Sequence, residues 1–241
     1  MAARTANAYC AAMRLPLLLL FCACAPPPHV EWHYGETWGG VCATGKQQSP
    51  VELSGAPGLG PKIQLEYWPS PIHTVHNGHT VEVQYDPGSS LILDGKRYAL
   101  KQFHFHHPSE HTVDGKSYPL ELHLVHKSDD GKLAAVGILI AEGAPNRWLQ
   151  PILADLPRPG ETREPTARVN AADLVPPSRV FLHYAGSLTT PPCSEGVSWF
   201  VLRTPIEMSA DQIAALTKLL GDNHRPIQPL NGRPVVEGEV R

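Results

Sequence analysis

The sequence has no run of lysine or arginine, no internal repeat, no linker dividing its interior, and no apolar stretch long enough to cross a bilayer. The first absence removes the electrostatic footprint of a nucleic-acid binder, in keeping with a net charge of −3. The missing linker and repeat leave 241 residues to be read as one domain behind a leader. A stable span needs about 20 apolar residues, and the run "LPLLLLFCACA" from Leu15 to Ala25 is too short. Two catalytic signatures are also missing, the GxSxG elbow and the HExxH helix, so serine-hydrolase and zincin chemistry are set aside.

Cysteine is scarce where it would matter. Of the 5 cysteines, Cys10, Cys22 and Cys24 belong to the N-terminal leader or its edge, and only Cys42 and Cys193 lie in the body. The leader has Arg4 and Arg14 as its positive flank and Leu15–Ala25 as its core, so residues 1–25 read as a signal peptide and 26–241 as the mature domain. Cleavage after Ala25 follows an A-x-A pattern. "FCAC" is a poor lipobox that would instead place a lipid anchor at Cys24. Either reading sends the chain out of the cytoplasm, to the periplasm or beyond, where Cys42 and Cys193 are expected to form a disulfide.

Helix signals are few as well. The clear one is "SADQIAALTKLLGDN", with Ser209 and Gln212 as a capping box, Ile213, Leu216 and Leu220 on one face, and Gly221 as the stop. What is abundant is strand: "HTVEVQY", "SSLILD", "RYALKQFHFH", "ELHLVH", "AAVGILI", "RVFLHY" and "VSWFVLR", separated by turn residues. Gly 20 and Pro 25 together make about a fifth of the chain, enough for many turns and short of the composition of disorder. The expected fold is mainly β, of the α+β kind: a large twisted, mostly antiparallel central sheet with short peripheral helices.

Against that background "QFHFHHPSEH", Gln102–His111, is dense in histidine. Side chains alternate along a strand, so Gln102, His104 and His106 share one face and Phe103, Phe105 and His107 the other. Two imidazoles then converge in front of an apolar layer. A catalytic zinc takes three protein ligands and keeps one position open, and "ELHLVH" offers the third in His123, on the face of Glu121 and Val125. A cupin is the rival, with His104, His106 and Glu110 all as ligands. Its pattern wants glycine where this chain has Tyr98 and Ser117.

Over nearly the whole mature chain, from "WHYGETW" to "NHRPIQPLNGR", these residues resemble an alpha-class carbonic anhydrase of the exported bacterial type. The likeness is carried by "GKQQSPV", "NGH", "QFHFH" with "SEHTVDGK", "ELHLVH", "LAAVGI" and "GSLTTPPCSEGVSWFVL". It implies a Zn2+ enzyme that hydrates carbon dioxide to bicarbonate and a proton, with His104, His106 and His123 as ligands. Gln102 would support His104, Glu121 would support His123, and the main-chain carbonyl of Asn223 would support His106. Thr189 would accept a hydrogen bond from the zinc-bound hydroxide and give its own proton to Glu110. Val125, Ala135, Leu188, Thr190, Val197 and Trp199 would line the substrate pocket, and Ala135, where the family usually has valine, would widen it. His111 would bond to Glu121 and Tyr184 in a structural role. The resemblance also makes His79 a proton shuttle. Asn77-Gly78 reads as a two-residue hairpin turn that sets His76 and His79 opposite each other at the strand ends.

The implied partners are small molecules, carbon dioxide and bicarbonate, without nucleic acid or a stable membrane span, and with room for a homodimer that the sequence does not specify. A metal-free binding protein on the same fold is the alternative of a different class.

Overall fold

Alternation of apolar and polar residues becomes a sheet. The computed structural model describes residues 31–54, 58 and 60–241, and Trp32–Arg241 form one compact unit. The leader, its three cysteines and His29 lie outside the described residues.

Among the described residues one sheet has eleven strands. They are β1 Ile63–Glu66, β2 His73–His76, β3 Val81–Gln84, β4 Ser90–Leu93, β5 Lys96–His106, β6 Leu120–Lys127, β7 Leu133–Glu142, β8 Thr162–Arg163, β9 Val180–Ser187, β10 Glu195–Met208 and β11 Val236–Glu239. The order across the sheet is β8-β2-β3-β5-β6-β7-β10-β9-β11, with β4 on β5 and β1 on β4. Every pairing in it is antiparallel except β7 with β10, which run parallel at its centre.

Among the described residues three short α-helices lie outside the sheet: α1 Val41–Thr44, α2 Gln150–Leu153 and α3 Ala210–Leu220. The Ser209–Gln212 capping box starts α3 and Gly221 follows its end, as the sequence predicts. No helix among the described residues is long and apolar enough to cross a membrane.

The two faces of the sheet bury different things. Tyr98, Leu100, Phe103, Phe105, Leu122, Leu124, Phe181 and Phe200 belong to the larger apolar core on one face. Ala135, Leu139, Leu182, Tyr184, Val197 and Trp199 form a second cluster on the other. Tyr98 and Leu100 sit at even positions and Phe103 and Phe105 at odd ones, yet all four point into the same core. The change of parity comes from a bulge: β5 and β6 pair Leu100 with His126 and then Gln102 with Val125, leaving Lys101 without a partner on β6. His104 and His106 therefore face away from the aromatic core.

Candidate metal centre

The centre is a set of rows running across the strands. Glu82, His104, His123 and Gly137 lie in register on β3, β5, β6 and β7. One row along, Gln102, Val125, Ala135 and Trp199 are in register on β5, β6, β7 and β10. Register partners share a face, so the histidines and the apolar side chains stand together on one face of the sheet. His106 follows on β5, opposite Glu121.

Hydrogen bonds fix the tautomer of each imidazole. His104 Nδ1–H donates to Gln102 Oε1 at 2.8 Å, His106 Nδ1–H to the main-chain oxygen of Asn223 at 2.8 Å, and His123 Nε2–H to Glu121 Oε1 at 2.9 Å. A neutral ring that donates through one nitrogen keeps a lone pair on the other. Three lone pairs, on His104 Nε2, His106 Nε2 and His123 Nδ1, therefore turn toward one another, and the ligand atoms of this triad lie within 4.8 Å of one another. His106 Nε2 is buried and has no hydrogen-bond partner among the described residues, which is what a ligand position demands. A second cluster, His111, Glu121 and His123, is also close enough to hold an ion. Both nitrogens of His111 are already engaged there, by Glu121 at 2.8 Å and by the Tyr184 hydroxyl at 2.7 Å.

Electrostatics keep the donors ready. Burial, and after it the neighbouring imidazoles, push His104 well below the ordinary histidine range. Burial lowers His106 to about 4 and also lowers His123, so all three rings are neutral at pH 7. Burial alone would raise Glu121, but His111 and His123 overcome it and hold the carboxylate well below its usual range. Gly137 makes room for that carboxylate: a Cβ there would stand 2.8 Å from Glu121 Oε1.

Glu110 is buried beside this triad, with Oε2 at 3.6 Å from His106 Nε2 and 3.8 Å from His123 Nδ1. Its Oε1 accepts from the main-chain N–H of Arg225 at 2.9 Å. Burial raises the carboxyl's pKa, while the His123 ring and the nearby Thr189 hydroxyl pull the other way. Oε2 has no hydrogen-bond partner among the described residues.

The Thr189 loop is anchored at its end, where the Cys193 N–H donates to the Thr190 carbonyl at 2.8 Å and Cys193 is disulfide-bonded to Cys42. The Arg225 guanidinium donates to the Cys42 carbonyl at 2.9 Å. Trp199 stands edge-on to His123 at 4.7 Å, and its indole N–H donates to the Ser187 carbonyl at 2.9 Å. Ala135, Val197 and Trp199 are buried, and Val125, Leu188 and Thr190 are half-buried.

One expectation fails. The pair His76 and His79 do not face each other, since His76 is in register with Val81. The Asn77 side-chain oxygen accepts from the N–H groups of His79 and Thr80, both at 3.0 Å, and Gly78 takes a φ of 95°. The turn thus has Gly78 and His79 at its tip, one residue later than the Asn-Gly signal suggests. The His79 ring stacks on Trp32 at 3.8 Å and 9°. Burial, and after it the charge of His33, lower its pKa.

Sequence reasoning missed three neighbours of the site. Glu82 is half-buried across from His104, and burial raises its carboxyl. Tyr34 has its phenol pushed far up by burial and then by the charge of Glu110. Arg225 is the third. "WHYG" and "NHRPIQ" contain Tyr34 and Arg225 without pointing to their contacts, and nothing local singles out Glu82, which only cross-strand register brings in.

Comparison with known proteins places this arrangement. The sequence model of the eukaryotic-type carbonic anhydrases matches residues 29–239. A carbonic anhydrase of Nostoc sp. is 41% identical over 240 residues, covering 90% of this chain and 91% of its own. A hyperthermostable carbonic anhydrase identified from an active hydrothermal vent chimney superposes with a TM-score of 0.80 at 47% identity, over 83% of this chain and 90% of that one. Dioscorin, solved in complex with ascorbate, superposes with a TM-score of 0.75 at 31% identity, over 83% and 89%. These likenesses leave the cupin alternative without support.

Proposed function

The chain belongs to the eukaryotic-type, or alpha, carbonic anhydrase family of enzymes, and on that premise we propose that it hydrates carbon dioxide reversibly to bicarbonate and a proton, using a zinc ion held by His104, His106 and His123. The observation that carries the zinc assignment is the convergence of three imidazole lone pairs whose opposite nitrogens are all engaged. When bound, such an ion supplies Lewis acidity that brings the pKa of water to about 7, a value established for carbonic anhydrase itself.

The side chains around it divide the remaining work. Gln102, Glu121 and the Asn223 carbonyl orient the rings. Glu110, when ionised, can only accept, so a Thr189 hydroxyl that gives it a proton offers the cavity lone pairs alone. It thereby selects a ligand that carries a proton. Val125, Ala135, Leu188, Thr190, Val197 and Trp199 form the wall that holds carbon dioxide, and the small Ala135 side chain widens it toward larger substrates.

His79 serves as proton carrier. An acid of pKa about 7 loses its proton to water no faster than about 10³ s⁻¹, while the speed established for carbonic anhydrase is about 10⁶ s⁻¹. A base near neutrality closes that gap, and an imidazole on the turn beside the cavity supplies one. We also assign residues 1–25 to a cleaved signal peptide and the enzyme to the periplasm or the exterior. The Cys42–Cys193 bond is compatible with that compartment.

The test is metal analysis of the purified protein beside a carbon dioxide hydration assay before and after chelation. One zinc per chain, activity lost with the metal and regained on adding zinc, is the expected result. Metal-free protein that hydrates nothing and binds a small organic ligand would replace this reading with the binding-protein alternative.

A further inference from the structure

The Asn223 side chain joins the shuttle hairpin to the strand that carries the histidines. Its main-chain oxygen takes the His106 Nδ1–H at 2.8 Å. Its carboxamide does something separate: Nδ2 donates to the carbonyl of His79 at 3.0 Å and to that of Phe105 at 3.0 Å, while Oδ1 accepts from the His107 N–H at 2.7 Å. Its own N–H donates to the His107 carbonyl at 3.0 Å. The residue is 1% exposed. Both amide protons of the side chain are thus committed to main-chain carbonyls on two elements, the tip of the β2–β3 turn and the end of β5. Thr80 makes the neighbouring link, its hydroxyl donating to the Phe105 carbonyl at 2.6 Å. A turn tip is ordinarily among the most mobile parts of a fold, and this one is bonded to the residues next to a metal-ligand position.

We propose that Asn223 is a positioning residue whose carboxamide fixes the His79 backbone relative to His106, and so sets the distance over which the proton leaves the centre. This rests on the carbonic anhydrase reading of the site. Asn223 does not itself touch substrate or carry the proton. It acts through His79, whose ring is oriented further by its stack on Trp32.

The test uses Asn223→Ser, which removes both donors to the carbonyls without burying a charge, with Asn223→Asp as a second variant that keeps the acceptor for the His107 N–H. Metal content, kcat in dilute buffer with and without added imidazole, and kcat/KM are measured in each, and again on a His79→Ala background. Misplacing a reacting group by about 1 Å can cost about 100-fold, so kcat in dilute buffer is expected to fall about 10- to 100-fold. It should fall several-fold more than kcat/KM, zinc should stay bound, and imidazole should restore the loss. On the His79→Ala background the same substitution should add almost nothing, since the two residues act as one unit.

Equal losses in kcat and kcat/KM, an undiminished loss without His79, or no loss in dilute buffer would overturn the proposal. Should the unmodified protein fail to hold zinc or hydrate carbon dioxide, the functional reading fails instead. The positioning claim is then decided in the metal-free protein by NMR. The His79 ring protons, shifted by the Trp32 stack, should move toward free-histidine positions in Asn223→Ser, and unmoved resonances would refute it.

Discussion

His123 and His126 stand three residues apart on β6, both almost fully buried and both held neutral by burial, yet they do opposite things. His126 lies on the aromatic-core face. Its Nε2 is 2.9 Å from the Tyr67 hydroxyl and its Nδ1 has no partner among the described residues. His123 lies on the other face, tied by a carboxylate through Nε2 and turned through Nδ1 toward two more imidazoles. Burial, a depressed pKa and an unengaged nitrogen are common to both environments and so do not mark a site. What separates them is convergence: lone pairs from three rings meet on one side, and a single unpartnered ring nitrogen stands on the other.

Substitutions on the two faces should behave accordingly. The largest effect is expected from His123→Ala, which should abolish metal binding and carbon dioxide hydration together. Glu110→Gln should retain the metal while losing activity, and metal analysis beside the hydration assay reads both. If zinc persisted in the first variant and left in the second, Glu110 would be a ligand and the contrast drawn above would be wrong.

Next comes the disulfide, which anchors the Thr189 loop. Its cysteines are 151 residues apart, and for a loop of that length the chain-entropy model gives a ceiling of about 5 kcal/mol. Replacing both cysteines by serine should lower the unfolding midpoint and speed amide exchange in the Thr189 loop, with β6 still protected. Equal exchange in both segments would show that the bond serves the whole fold.

Glu121→Gln should weaken zinc binding about 10- to 100-fold, the usual cost of losing a partner behind a ligand. Chelator competition measures it.

The smallest change in function belongs to His126→Gln, which should leave zinc affinity and turnover as they were while changing stability and its dependence on acid pH. The folded ring titrates at about 3 and an unfolded histidine at about 6.5. Between those values the unfolded chain holds the extra proton, so the neutral ring's contribution is complete above about pH 6.5 and declines as the pH falls toward 3. The substitution should therefore remove up to one proton from the pH dependence of unfolding in that window, as urea midpoints from pH 7 to 4 would show. An unchanged slope would mean that His126 takes up its proton as readily in the fold as outside it.

Much of this was legible beforehand because alternation and capping are local. The faces of Gln102–His107 and of Glu121–His126, and the start of α3 at Ser209, follow from residues within a turn or two of one another. Neighbourhood is not local. Nothing in "LAAVGI" or "GVSWFV" says that β7 and β10 lie side by side and parallel, which is what puts Ala135 beside Trp199. Glu82 and the contacts of Arg225 stayed invisible for the same reason. The Asn77-Gly78 turn was misplaced because the dipeptide is a strong hairpin signal, but here the Asn77 side chain caps the N–H groups of His79 and Thr80 and moves the tip forward.

The Lys101 left unpaired on β6 has a meaning for how the gene can change. Because one extra residue in β5 decides which parity meets the aromatic core, the histidines depend on a count as well as on their identity. Side-chain replacements at Lys101 leave that count intact. An in-frame deletion of its codon would slide His104 and His106 into the place of Phe103 and Phe105, burying imidazoles in hydrocarbon and turning phenyl rings into the cavity. Point mutation at position 101 preserves the register, while gain or loss of a single residue there reverses it.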